Sequence, residues 1–205
     1  MDFQKAIYKW LRKKDPIDRY NVTGSKEYNF LWFRVAKTGT RSMLSVLEEE
    51  TRLDYNQDWA KPTDEEMEER FCFTFVRNPW DRLVSTYFDK VGKKSMYRPC
   101  WGKSFEYFVD FVDDLDLQTA DRHIRLQSTL FPRHRMDFIG HFEQLRADTE
   151  KIFATIGIER SLPHRNATKK QHYSTYYNTR TEAVVRRKYS QDIEAFGYDF
   201  QQETS

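Results

Sequence analysis

The chain has very little cysteine, no long apolar run and no surplus of charge of either sign, and each shortage removes a class of protein. Two cysteines, Cys72 and Cys100, in 205 residues make neither a disulfide framework nor a zinc quartet, which fits a reducing compartment. No stretch of about 18 apolar residues occurs, so no membrane-spanning helix is expected, and the segment from Met1 to Lys14 is charged rather than signal-like. Lysine and arginine total 34 against 32 aspartate and glutamate residues, too even a balance for general attraction to nucleic acid. Any basic site therefore has to be local. Internal repeats are absent, and Glu48-Glu49-Glu50 is the only biased patch. What remains is a length that suits one α/β domain with a real core. Aromatic residues at 16% are enough to fill that core, or to line a pocket for an adenine or a sugar.

The run Phe30 to Val35 is aromatic and β-branched and reads as a strand. Met43, Leu44 and Leu47 then share one face at helical spacing. Between them lies Lys37-Thr38-Gly39-Thr40-Arg41-Ser42. A turn from strand end to helix start aims unpaired N–H groups and the positive end of the helix dipole at one point, which suits an anion. Gly39 allows close backbone approach and Lys37 adds a full charge. The nucleotide-triphosphate P-loop fails on spacing, because the lysine precedes the turn's single glycine and no glycine stands four residues further back. A second strand-turn-helix follows, with Phe71 to Val76 as strand and Arg77-Asn78-Pro79-Trp80-Asp81-Arg82 as turn. Asn78 is placed as N-cap with Pro79 at the first helical position, and Leu83, Val84, Tyr87 and Phe88 form the buried face. Arg77 ends the strand, and Ser85 lies two turns into the helix.

With both stretches in hand the chain resembles the sulfotransferases that use 3′-phosphoadenosine 5′-phosphosulfate, PAPS, closest to the carbohydrate sulfotransferase branch. Lys37 to Ser42 is similar to that family's 5′-phosphosulfate loop, and Phe75 to Ser85 to its 3′-phosphate motif. The likeness extends through Asp137-Phe138-Ile139-Gly140-His141-Phe142-Glu143 to Phe196-Gly197-Tyr198. It implies a P-loop-like α/β fold in one domain over residues 1–205, with an N-terminal helix and loop over 1–26 and a catalytic core over 30–200. It also implies PAPS as cosubstrate, PAP as product, and no metal. Lys37, Thr38, Gly39, Thr40, Arg41, Ser42, Arg77 and Ser85 would then contact the nucleotide. A late loop that closes over the nucleotide in such enzymes would add Arg165, Asn166, Thr168 and Lys169. Arg41 is either a phosphate contact or a solvated helix residue. Related animal enzymes are anchored in the Golgi, so the chain is read as a cytoplasmic enzyme or as a trimmed catalytic domain.

The rest of the chain supplies the expected scaffold. Asp15 to Lys26 reads as a connecting loop, and the segment through Asp58, Trp59 and Pro62 as irregular. Thr63 with Glu66 makes a capping box, and so does Thr179 with Glu182. Gly92 to Lys103 reads as a flexible loop near the acceptor, Ser104 as the next cap, and Thr119 to Leu130 as a helix. Met136 to Phe142 is the third strand, and the helices that follow stop at Gly157 and Gly197. Three strands alternating with helices predict a central parallel sheet flanked by helices, with ligands at the strands' carboxyl ends.

Sulfuryl transfer requires in-line attack by a hydroxyl and stabilisation of the charge growing on the departing phosphate. Lys37 is placed to stabilise that charge. For the general base, the interval between the first two strands holds no histidine. His123 is the first choice, because imidazole suits proton abstraction near neutral pH and Asp121-Arg122-His123 resembles an acceptor-site segment. Asp58, then Glu65 or Glu66, stand behind it, while His141 reads as a strand edge and His164 as part of the late loop. Arg122 either orients an anionic acceptor or pairs with Asp121. The expected acceptor is a hydroxyl on a carbohydrate or glycan, with a small hydroxylated metabolite as the alternative. A nucleotide-dependent kinase and a noncatalytic module that binds PAPS or PAP are the rival readings. No oligomeric state follows from the sequence.

Overall fold

The computed structural model describes residues 16–163 and 171–201. The expected N-terminal helix over 1–14, the candidates Arg165, Asn166, Thr168 and Lys169, and His164 lie outside the described residues. In chain order the elements are β1 (Tyr20–Ser25), β2 (Phe30–Phe33), α1 (Thr40–Glu50), β3 (Tyr55–Ala60), α2 (Asp64–Glu69), β4 (Phe71–Val76), α3 (Pro79–Thr86), α4 (Phe105–Asp113), β5 (Phe138–His141), α5 (Leu145–Ile156), α6 (Thr179–Lys188) and α7 (Ser190–Phe196). They make an α/β fold with a mixed sheet in the order β3-β1-β2-β4-β5. The chain divides into two compact units. Within the described residues, the sheet unit runs over 18–77 and 127–163, and the helical unit over 16–17, 78–126 and 171–201.

In the sheet unit, β2, β4 and β5 are parallel, with Trp32 beside Phe73 and Phe73 beside Phe138. These are the three strands the sequence predicts. Their aromatic residues Phe30, Trp32, Phe73 and Phe75 form one core with Met43, Val46 and Leu47 of α1 and Ile152, Phe153 and Ile156 of α5. Trp32 and Phe73 stack with centroids 6.1 Å apart. Each such side chain contributes roughly 1.5–3 kcal/mol by leaving water. The other edge of the sheet corrects the expectation. Asp15 to Lys26 is not simply a loop but contains β1, and the segment through Asp58 contains β3, both antiparallel to their neighbours. Asn21, Gly24 and Ser25 break the apolar pattern of β1 although residues 21 to 25 are all buried, and β3 is an edge strand with Asn56, Gln57 and Asp58 exposed. Cys72 is buried and free, its Sγ donating to the Met67 carbonyl at 3.4 Å, and burial pushes its thiol up to about 12.

In the helical unit, Trp80, Leu83 and Val84 of α3 share a core with Phe105, Phe108, Val109 and Val112 of α4 and with Val185 and Tyr189. The predicted caps form at Thr63, Asn78 and Ser104. The later capping box moves one residue, to Asn178 with Thr181, and the last helical segment breaks at Tyr189 into α6 and α7. Tyr97 and Cys100 are fully buried and anchor the loop expected to be flexible. Residues 119–130 correct a further expectation, since they form turns and one short 3-10 helix, Gln127–Thr129, rather than a continuous α-helix. Four successive carbonyls there are taken by side chains instead of by helical amides. Arg82 donates to the carbonyls of Arg122 and Arg125 at 2.7 and 2.8 Å, Thr86 to that of His123 at 3.0 Å, and Tyr189 to that of Ile124 at 2.6 Å. Among the described residues no helix is long and apolar enough to cross a membrane.

Candidate functional site

Because β2 and β4 run parallel, the turn after β2 and the residue after β4 emerge from the same end of the sheet, the end where open α/β sheets bind ligands. The turn Ala36 to Gly39 is tightly held. The hydroxyl of Thr38, itself buried, donates to the Val35 carbonyl at 2.9 Å, and that of Thr40 reaches the same oxygen at 3.2 Å. Lys37 adopts φ +75°, a left-handed conformation that costs a residue with a side chain ~1–3 kcal/mol. Its carbonyl accepts from Arg77 Nη1 at 2.9 Å, which helps hold it there. Gly39 follows at φ +82°, a torsion that favours glycine, and a Cβ at that position would lie 2.6 Å from Leu145 Cδ2 and push the end of that side chain aside.

Gly39 is also the N-cap of α1, and having no side chain it leaves the helix start without a side-chain cap. The first turn of α1 carries no acidic residue either, so neither a cap side chain nor a carboxylate of that turn offsets the positive end of the dipole. The contrast with α2 is direct: Thr63 caps it and Asp64, Glu65 and Glu66 fill its first turn. At α3, Asn78 accepts from the Trp80 amide, Pro79 has no N–H to offer, and Asp81 sits in the first turn. The start of α3 is thus met by its own side chains, and Arg77 just before it is the candidate of that stretch for meeting an anion. Its guanidinium lies 4.0 Å from the ring centroid of Phe142, just past β5. Arg41 is exposed on α1, Ser42 is partly buried there, and Ser85 is partly buried on α3.

In the helical unit, His123 and Asp121 form a dyad. His123 Nδ1 and Asp121 Oδ1 are 2.8 Å apart, and the same oxygen accepts the His123 amide at 3.0 Å and the Tyr97 hydroxyl at 2.6 Å. Burial by itself would raise the Asp121 carboxyl, but the bond to His123, the His123 charge and the Tyr97 hydroxyl hold it below its ordinary value. The Tyr97 hydroxyl is pushed well up by burial and by the neighbouring carboxylate, so it remains a donor. An imidazole whose Nδ1–H is taken by a carboxylate presents Nε2 as the base. The alternatives to His123 are otherwise engaged or exposed. Asp58 meets Arg34 Nη2 at 3.2 Å with its side chain half exposed, and Glu66 accepts the Thr63 amide at 2.9 Å in the capping box. Glu65 is exposed on α2.

The model of one family, the sulfotransferase family, matches residues 20–199 and so covers both units. The chain belongs to the sulfotransferase family. Among this sulfotransferase's curated relatives, carbohydrate sulfotransferase 10 of Xenopus laevis is 26% identical over 178 residues, 68% of this chain and 50% of the relative. Carbohydrate sulfotransferase 14 of Danio rerio is 26% identical over 208 residues, 82% of this chain and 56% of the relative. Carbohydrate sulfotransferase 9 of Homo sapiens is 31% identical over 144 residues, 58% and 32% respectively. The chain thus spans about half the length of the curated relatives it matches. No solved structure matches it.

Four residues of this sulfotransferase escape a reading of the sequence. Phe142 and Gln127 support Arg77, while Tyr97 and Arg82 support the dyad and its turn. Arg82 alone carried a local signal, an arginine on an otherwise apolar helix face at a position that proves fully buried.

Proposed function

We propose that the chain transfers a sulfuryl group from PAPS to a hydroxyl of a carbohydrate acceptor. The observation that carries this reading is the uncapped, acid-free start of α1 at Gly39, reached by the strained Lys37 and tied through the Lys37 carbonyl to Arg77. That set of donors fits a nucleotide with phosphate groups at two positions: helix-start amides and Lys37 for the 5′ side, a stacked guanidinium for the 3′ side. PAPS, when bound, supplies the sulfuryl group and a phosphate as leaving group. The amides of Thr40 and Arg41 hold the phosphate, and the Lys37 ammonium stabilises the charge that grows on the bridging oxygen. His123 Nε2 takes the proton of the acceptor hydroxyl, and Asp121 stabilises the resulting imidazolium. The carbohydrate acceptor rests on the names of the relatives. In this reading both units serve one catalytic domain.

The test is calorimetric titration with PAP against AMP, on the wild-type chain and on Arg77→Ala. PAP should bind far more tightly than AMP, and the difference should vanish in the variant. Lys37→Ala should lower kcat on the order of 100-fold, measured with labelled PAPS and an oligosaccharide acceptor. Equal binding of PAP and AMP by the wild type would sink the reading, and PAP binding without turnover would favour a noncatalytic module.

A further inference from the structure

The last pair of the β4–β5 ladder is Val76 beside His141, and the next place along is the one opposite Arg77. The side chain of Gln127 takes that place. The Arg77 amide donates to Gln127 Oε1 at 2.9 Å, and Gln127 Nε2 donates back to the Arg77 carbonyl at 2.8 Å. One residue exchanging both an N–H and a C=O bond with its opposite is the pattern of a hydrogen-bonded pair between antiparallel strands, not of the parallel ladder that precedes it. Here a primary amide reproduces it across a separation of 50 residues. Gln127 is fully buried, and its carboxamide offers a donor and an acceptor side by side without needing a proton from solvent. Beyond this clamp the Arg77 guanidinium is fixed at two more points, the Lys37 carbonyl and the Phe142 ring.

We propose that Gln127 is a positioning residue for 3′-phosphate recognition. By extending β4 through one further residue it sets the direction in which Arg77 leaves the sheet, and so sets the preference for a 3′-phosphorylated nucleotide over a plain 5′-phosphate. The inference rests on the reading of Arg77 given above. Backbone torsions at Arg77 control where its guanidinium falls, and an error of about 1 Å is enough to lose a charge-assisted hydrogen bond.

The test compares PAP and AMP affinities, at pH 8 and at pH 5.5, for the wild type, Gln127→Met and Gln127→Glu, each checked for cooperative melting. Gln127→Met keeps the volume and removes both bonds. The ratio of PAP to AMP affinity should fall about tenfold or more while AMP affinity stays unchanged. In Gln127→Glu, a carboxylate faces the Arg77 carbonyl at pH 8, and the ratio should fall likewise. At pH 5.5 the buried carboxyl takes up a proton, regains one donor beside one acceptor, and the ratio should return toward that of the wild type at the same pH. A purely structural role for Gln127 predicts lower melting temperatures with an unchanged ratio, or equal loss of both ligands, and either result overturns the proposal. If Gln127→Met does not fold, the pH dependence of Gln127→Glu decides. A wild type that binds PAP and AMP alike overturns the reading of Arg77 itself, a distinct failure.

Discussion

At Asp121, burial and hydrogen bonding act on one carboxyl in opposite directions, and the bonds win. The sign of the pH effect follows. A carboxyl held lower in the folded state than in the unfolded chain contributes stability above its unfolded value, and that contribution is lost as pH falls through the folded value. Asp121→Asn should therefore be less stable than wild type near neutrality, and the gap should close as the pH drops below about 4, read by chemical melts across an acid series. The same substitution removes the charge that stabilises a protonated His123. Turnover should fall ~100-fold with little change in PAP affinity. A drop in PAP affinity equal to the drop in turnover would take His123 and Asp121 out of the acceptor chemistry. Lys37, Gly39 and Arg77 could be found in the sequence because turn chemistry is local, a glycine and two cations at strand ends. Tyr97 and Gln127 could not, because their partners lie 24 and 50 residues away and nothing nearby marks them.

At the scale of elements, what the sequence revealed follows how each element is stabilised. The parallel strands β2 and β4 are buried on both faces and read as aromatic runs, whereas β1 and β3 take their place from partners and carry polar residues that suggest loops. Local pattern also suggested a helix over 119–130, and a distant cation prevents it. Arg82 is fully buried, and its guanidinium fork spans two carbonyls that a helix would need for itself. Loss of solvent alone works against its charge. Arg82→Lys keeps the charge but not the fork, so at least one buried carbonyl is left without its donor, at a cost of about 1–3 kcal/mol. The melting temperature should fall by several degrees, and the turn that carries His123 should loosen with it, seen as faster amide exchange at Ile124 and Arg125. Exchange unchanged at those amides would mean that the turn is held without Arg82.

At the scale of the whole chain, each unit is assembled from stretches that are not consecutive: the sheet unit is interrupted after Arg77 and resumed at Gln127. A chain ending at Leu126 would keep β1 to β4 and α1 yet lack β5, α5 and Gln127. It should not melt cooperatively by calorimetry, whereas the full chain should. A sharp transition in the truncated chain would show that the first strands form a stable sheet by themselves. The parallel pairing of β4 with β5 carries the same point into the time a ribosome needs to make the protein. Cys72 and Asp137, which exchange hydrogen bonds at the start of that ladder, are 65 residues apart. At roughly 5–20 residues per second, the β4 edge waits several seconds, its N–H and C=O groups unpaired beside a run of phenylalanines, before its neighbour has been synthesised. During that interval the nascent chain is a natural client for a chaperone that grips extended apolar segments.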